Sequence, residues 1–278
     1  MRTGGTDEGV TGNDGAEASR RSLIGRSTRL RVAIAETLAH IEEVRQQEIP
    51  QIKADYATKI GVWNARLITA QLAARRAKRR CTLARVFSNQ GKTVNATHIT
   101  RQLDEEFAEW KQRVAQETTR LRHLLKWRGG MRPMNPAKAN ELNKLFRRLA
   151  RRFHPDLYPG DEERADYYAT AQNALACGDL ELLRALDVST AHMADGVDYS
   201  HLTVDELMVE CELLEDHLAS CKAKLAELTS TEPYTLRDKL ADPEWVSATV
   251  DGLRTRVEAF EREQARYDEE YRRLVKED

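Results

Sequence analysis

A histidine and an aspartate stand two residues apart at His154 and Asp156, with Pro155 between them. The ten residues before them hold five cations: Lys144, Arg147, Arg148, Arg151 and Arg152. An imidazole and a carboxylate at this spacing have the chemistry of a general acid–base pair or of two metal ligands. Either use needs a third group, a nucleophile or a further ligand, close by. The sequence around the pair offers neither, so no catalytic residue is assigned and the chain is not expected to be an enzyme. His40, His98, His123, His192, His201 and His217 are scattered without ligand spacing. Cys81, Cys177, Cys211 and Cys221 form no CxxC pair, which removes a zinc site and a disulfide framework and fits a reducing, cytoplasmic setting. No metal and no small-molecule cofactor is expected.

The elements that must position His154 and Asp156 are helices. Charged residues make up 32% of the 278-residue chain, against a usual share of about 25%. Aromatics are only 6%, and 14 Gly and 7 Pro leave few breaks. That composition argues for long helices with wet faces and against a parallel-sheet enzyme with a large dry core. No stretch approaches the roughly 20 apolar residues of a membrane span, and the first residues lack the apolar run of a secretory signal. The net charge of -1 hides an asymmetry: residues 1–200 carry 33 Lys/Arg against 25 Asp/Glu, residues 201–278 only 11 against 20. Such halves suit distinct surfaces, or each other.

Residues 1–22 have almost nothing to bury and read as a disordered tail. Over 23–128 two apolar stripes follow one another. The first runs through Leu30, Ile34, Leu38 and Ile41, meets Pro50, where a kink or break is expected, and resumes through Ile60, Trp63 and Leu67. The second, after the loop-like residues 88–98, runs through Ile99, Leu103, Phe107, Trp110, Val114, Leu121 and Leu125. Two narrow stripes with a short link predict an antiparallel coiled-coil hairpin. Residues 201–278 predict a second one. Its first arm opens on the capping box Thr203–Glu206 and continues through Leu207, Cys211, Leu214, Leu218 and Cys221; Val250, Leu253, Val257 and Phe260 lie on the returning arm.

Between the hairpins, at 129–190, lies the most specific segment. At 100° per residue, Leu142, Leu145, Phe146, Leu149 and Phe153 share one side of a helix, and the five cations cover the other. Pro155 ends that helix, and Asp161-Glu162-Glu163 opens the next with acids suited to its positive end. The run LFRRLARRFHPDLYPGDEERADYYATAQNAL resembles helix II, the His-Pro-Asp loop and helix III of a J-domain, the module of the DnaJ co-chaperones. The resemblance covers about 50 residues, and the family's first helix is not recognisable before Pro136; Leu121, Leu124 and Leu125 offer one packing face in its place. The resemblance implies docking on a DnaK-type heat-shock ATPase. His154 and Asp156 would make polar contacts, Pro155 would hold the loop, and Lys144, Arg147, Arg148, Arg151 and Arg152 would steer toward an acidic surface. Phe146, Leu149, Phe153, Tyr168 and Leu175 would hold the two helices together.

The expected fold is therefore all-α, with two coiled-coil hairpins flanking a short J-like helical pair. The expected role is that of a co-chaperone or adaptor, its coils holding an unidentified client protein or a second copy in a homodimer. Two alternatives stand beside it. One is a coiled-coil scaffold with an inert J-like relic. The other is a weak non-specific nucleic-acid binder through Arg75, Arg76, Lys78, Arg79 and Arg80; the simpler reading of that run is a helix face paired with acids of the facing arm or of the acidic C-terminal part.

Overall fold

The computed structural model describes residues 10–130, 134–193 and 196–276, and no strand occurs among them. The helices are α1 (Val10–Glu43), α2 (Ile49–Tyr56), α3 (Val62–Asn89), α4 (Ala96–Glu106), α5 (Ala108–Gly130), α6 (Pro136–Phe153), α7 (Glu162–Cys177), α8 (Leu180–Ser189), α9 (Val204–Ser230), α10 (Leu236–Ala241) and α11 (Pro243–Lys276). π turns at Val44–Glu48 and Ala57–Gly61 join α1 to α2 and α2 to α3.

Pro50 does not break the first helical run. Just before it the backbone widens, and Ile49 N–H bonds the carbonyl of Val44 five residues back. A wider turn accommodates a ring that has no N–H and crowds the preceding carbonyls. The expected tail also departs from disorder: residues 1–9 lie outside the described residues, but from Val10 the chain is helical. Arg20 ties α1 down by donating to the carbonyls of Tyr199 (3.1 Å) and Ser200 (2.7 Å).

The chain divides into two compact units, Met1–Pro50 with Arg132–Tyr234 and Gln51–Met131 with Thr235–Asp278. In the first, Leu142, Leu145, Phe146, Leu149 and Phe153 of α6 close on Tyr168, Ala171, Ala174 and Leu175 of α7, and α8 adds Leu180, Leu183 and Leu186. Local signals set the ends. Asn135, Asp161 and Asp179 each cap a helix by accepting a backbone N–H, as short polar side chains do at this position. Gly178 closes α7 at φ +70°, where a Cβ would be strained. Ile34, Ala35, Leu38 and Ile41 of α1 pack on Leu214 and Cys221 of α9, and the capping box at Thr203 and Glu206 is formed.

In the second unit, α3 buries Leu67, Ala70, Ala74, Ala77, Cys81 and Ala84, alternating by three and four. Small side chains on this line admit α11, whose Leu253 and Val257 are buried. Ile99 and Leu103 of α4 close the far end with Ala84. The second arm of the first expected hairpin is interrupted at Phe107, and no described side chain of α5 is fully buried.

The all-α class is what the structure has, but the seams pair differently from the two expected hairpins. The stripe at 30–41 is covered by α9, and the stripe at 67–84 chiefly by α11. Each arm of the expected C-terminal hairpin belongs to a different unit. A narrow apolar stripe demands a partner without naming it. The place suggested for Leu121, Leu124 and Leu125 against the J-like helices is likewise corrected: α5 lies in the second unit against α3, and α1 packs on α6.

Candidate functional site

The α6–α7 connection is built outward from His154. This residue ends α6, and its N–H still bonds the carbonyl of Ala150 at 2.9 Å. Its own carbonyl accepts from the N–H groups of Leu157 (2.9 Å) and Tyr158 (3.2 Å), which folds the loop into a tight turn. The imidazole is buried, 8% exposed, with its ring centroid 4.6 Å from that of Tyr168 in an edge contact. Nδ1 accepts the N–H of Asp156 at 3.1 Å, which requires that nitrogen to be unprotonated. Burial lowers the imidazole pKa to about 4; nearby His217 adds to this and Asp156 opposes it. A neutral ring is thus part of the loop's framework.

Pro155 and Asp156 face solvent beyond that anchor. The Asp156 carboxylate lies 3.6 Å from His217 Nε2 on α9. The next two residues turn inward. Leu157 is 4% exposed and joins the α1–α9 apolar cluster, while Arg31 of α1 donates to its carbonyl. The guanidinium groups of Arg164 (3.9 Å) and Arg31 (5.4 Å) lie over the Tyr158 ring, and its hydroxyl donates to the carbonyl of Arg151 at 3.2 Å.

The five cations before the loop do not form one outward stripe. Lys144 is exposed and makes no ion pair among the described residues. Arg147 makes two 2.7 Å bonds to the carboxylate of Glu43, a buried acid of α1 that in turn raises the guanidinium pKa. Arg148 bonds Asp187 of α8 at 2.6 Å. Arg151 is half-buried. Arg152 is buried outright and donates to Thr190 Oγ1 at 2.9 Å and the carbonyl of Asp187 at 3.3 Å. The expectation that Arg152 faces outward is therefore corrected. It follows Leu149 by one helical turn and borders the apolar face, so its side chain reaches under α8. Phe146, Leu149, Phe153, Tyr168 and Leu175 are all buried between the helices.

Sequence reasoning missed Arg31, Glu43, Asp187 and His217, because each lies on a distant helix with no local signal. Leu157 and Tyr158 had one, as an apolar pair inside a polar turn. In the second unit the basic run is already partnered. Arg76 pairs with Asp104 at 2.8 Å, Arg79 with Glu106 at 2.8 Å and Arg80 with Asp268 at 2.5 Å. Arg79 holds the Glu106 carboxyl down at about 2. Arg75 lies over Trp110 (4.7 Å) and Lys78 over Tyr267 (6.0 Å). Among the described residues no cluster of three His, Cys, Asp or Glu side chains is arranged to hold a metal ion, and no helix is long and apolar enough to cross a membrane.

No family model, curated protein or solved structure matches the chain. The function therefore rests on the geometry and on the resemblance of the His154–Asp156 segment.

Proposed function

We propose that the chain is a co-chaperone or adaptor whose α6–α7 segment docks on a DnaK-type heat-shock ATPase, the longer helices holding a client or a second copy. The observation that carries this reading is the turn itself. Pro155 and Asp156 project from the tip between a cation-bearing helix and its partner, while the buried His154 ring fixes the turn from behind. A rigid tip with one exposed carboxylate is suited to a polar contact at low conformational cost. Lys144, Arg147 and Arg148 remain at the surface of the preceding helix, so an acidic partner would compete with Glu43 and Asp187 for two of them. The chain would act by binding, with ATP hydrolysed by the partner.

A second reading, a scaffold whose J-like turn serves only its own fold, is favoured by Leu157 and Arg31, which tie the turn to α1. The nucleic-acid reading has less support, since phosphates would have to displace the carboxylates already on Arg76, Arg79 and Arg80. Single-turnover ATP hydrolysis by a DnaK-type chaperone separates the first two. Full-length chain should accelerate the ATPase, and both His154→Gln and Asp156→Asn should abolish the acceleration. Asp156 is exposed, so its variant keeps the fold while His154→Gln tests the anchor. Absence of acceleration by the native chain, or acceleration indifferent to Asp156→Asn, leaves the scaffold.

A further inference from the structure

Helix α5 turns one side to solvent, and that side is cationic. At 100° per residue, Trp110, Val114, Leu121 and Leu125 share one side and are half-buried. The helix packs on α3 and on the π turn at Ala57–Gly61, where a Cβ on Gly61 would come 3.1 Å from Leu121 Cδ1. Arg113, Arg120, Arg122, His123, Lys126 and Trp127 fall on the opposite half of the circumference. The five basic side chains are all exposed, and Trp127 is 40% exposed among them.

The cations at 75–80 are largely spent on carboxylates, and those of α5 are not. Arg113, Arg122 and Lys126 make no ion pair among the described residues, and Arg120 meets Glu117 only at 4.0 Å. The acids on this side are Glu109, in the first turn, and Glu117 at its edge; beyond Glu117 no Asp or Glu occurs before Glu141. Local helix energetics do not ask for this arrangement. Arg122 and Lys126 stand at i and i+4, and like charges at that spacing weaken a helix. The helix dipole rewards cations in the last turn. That accounts for Arg128, which is bound to Asp55, but not for Arg113, Arg120 or Arg122.

We propose that this side of α5 binds single-stranded nucleic acid without sequence preference, with Arg113, Arg120, Arg122 and Lys126 on phosphates and Trp127 stacked on a base. Guanidinium groups bond phosphate oxygens in pairs, and from Arg113 to Lys126 the helix rises about 20 Å. The make-up of the face selects this occupant. Trp127 is the only large apolar side chain exposed on α5 among the described residues. The face therefore has neither the apolar core of a protein interface nor the apolar stripe that holds a helix in a lipid surface. Nucleic-acid interfaces are polar and strongly positive. An indole among cations is a stacking platform, and the unstacked bases of a single strand reach it on a convex helix where the paired bases of a duplex do not. The inference does not depend on the J-like turn.

The test is fluorescence anisotropy with the full chain and a labelled 20-nucleotide oligothymidylate, from 50 to 200 mM salt. The chain should bind, and with four phosphates engaged the log–log slope of affinity against salt should be about -3, a loss of about fiftyfold over this range. Arg122→Gln/Lys126→Gln should weaken binding at least tenfold at the lower salt and bring the slope to about -1.4. Lys222→Gln/Lys224→Gln, an equal change of charge on α9, should alter neither. Trp127→Ala should weaken binding about tenfold at an unchanged slope. The variants alter exposed side chains, so helix content and melting temperature should stay native. No binding at 50 mM salt, or binding that Arg122→Gln/Lys126→Gln does not weaken, overturns the proposal. So does tighter binding of a duplex of the same length. Equal binding of poly-glutamate or of phosphatidylserine vesicles, lost in the same double variant, would overturn it by assigning the face to an acidic protein or to a lipid surface.

Discussion

At the residue scale, His154 does more structural work than its place in a polar turn suggests. Its ring is neutral because burial depresses the pKa to about 4 from the usual 6.5. A lowered histidine pKa stabilises the fold fully above the unfolded value, and that stability is lost as pH falls toward the folded value, because the unfolded chain then binds the extra proton. Between pH 7 and pH 5 the native chain should lose about 2 kcal/mol more than His154→Gln does. Urea unfolding of both at the two pH values measures it, and equal losses would mean the ring is not held neutral. Arg152 makes a second case. Its charge lies under α8 with bonds to Thr190 and Asp187. Arg152→Ala should destabilise by about 3 kcal/mol, by leaving buried oxygens short of a donor and opening a void. A loss below about 1 kcal/mol in denaturant melts would place the guanidinium in water instead.

At the scale of single elements, the helix ends are set by short-range chemistry that a substitution can isolate. Thr203→Ala removes the hydroxyl that accepts Glu206 N–H and one partner of the Glu206 carboxylate. It should cost about 1 kcal/mol, read as a lower urea midpoint with unchanged slope. Gly178 differs in kind, since φ +70° disfavours any Cβ and an added one would come 3.0 Å from Met134 Cε. Gly178→Ala should cost about 1–2 kcal/mol, whereas Gly129→Ala, with open space around it, should not destabilise the chain. Thermal melts of the pair distinguish backbone strain from a general intolerance of glycine replacement.

At the scale of the whole molecule, part of the uneven charge of the chain is met by ion pairs within each unit. In the first, Arg26 and Arg31 of the basic part meet Glu215 and Glu210 of the acidic part. In the second, Arg80 and Arg85 meet Asp268 and Glu270. Asp268→Arg should destabilise by about 1 kcal/mol by facing Arg80 with a like charge. The exchange Arg80→Asp/Asp268→Arg should recover part of that loss, since the pair returns while the contact of Arg80 with Tyr271 does not. A double-mutant cycle in denaturant that shows no coupling would remove this pair from the account.

The sequence by itself determined the helical class and several element ends. These are decided within a few residues: a stripe of period 3.6, the acids that open α7 from Asp161, the capping box at Thr203, the stop at Gly178, the proline after His154. It also showed that Phe146, Leu149 and Phe153 share a face and that a His-Pro-Asp turn follows them. Only the tertiary structure decided which stripe meets which, since narrow apolar seams of similar composition compete for one another and the choice is made by complementary shape and charge far apart in the chain. The small-residue line from Ala70 to Ala84 took α11, and Ile34 to Ile41 took α9. The same long-range choice buried His154 and Leu157, drew Arg152 inward and gave Arg147 to Glu43. It also left Met208, Val209 and Leu213 uncovered, because α1 can cover only one side of α9.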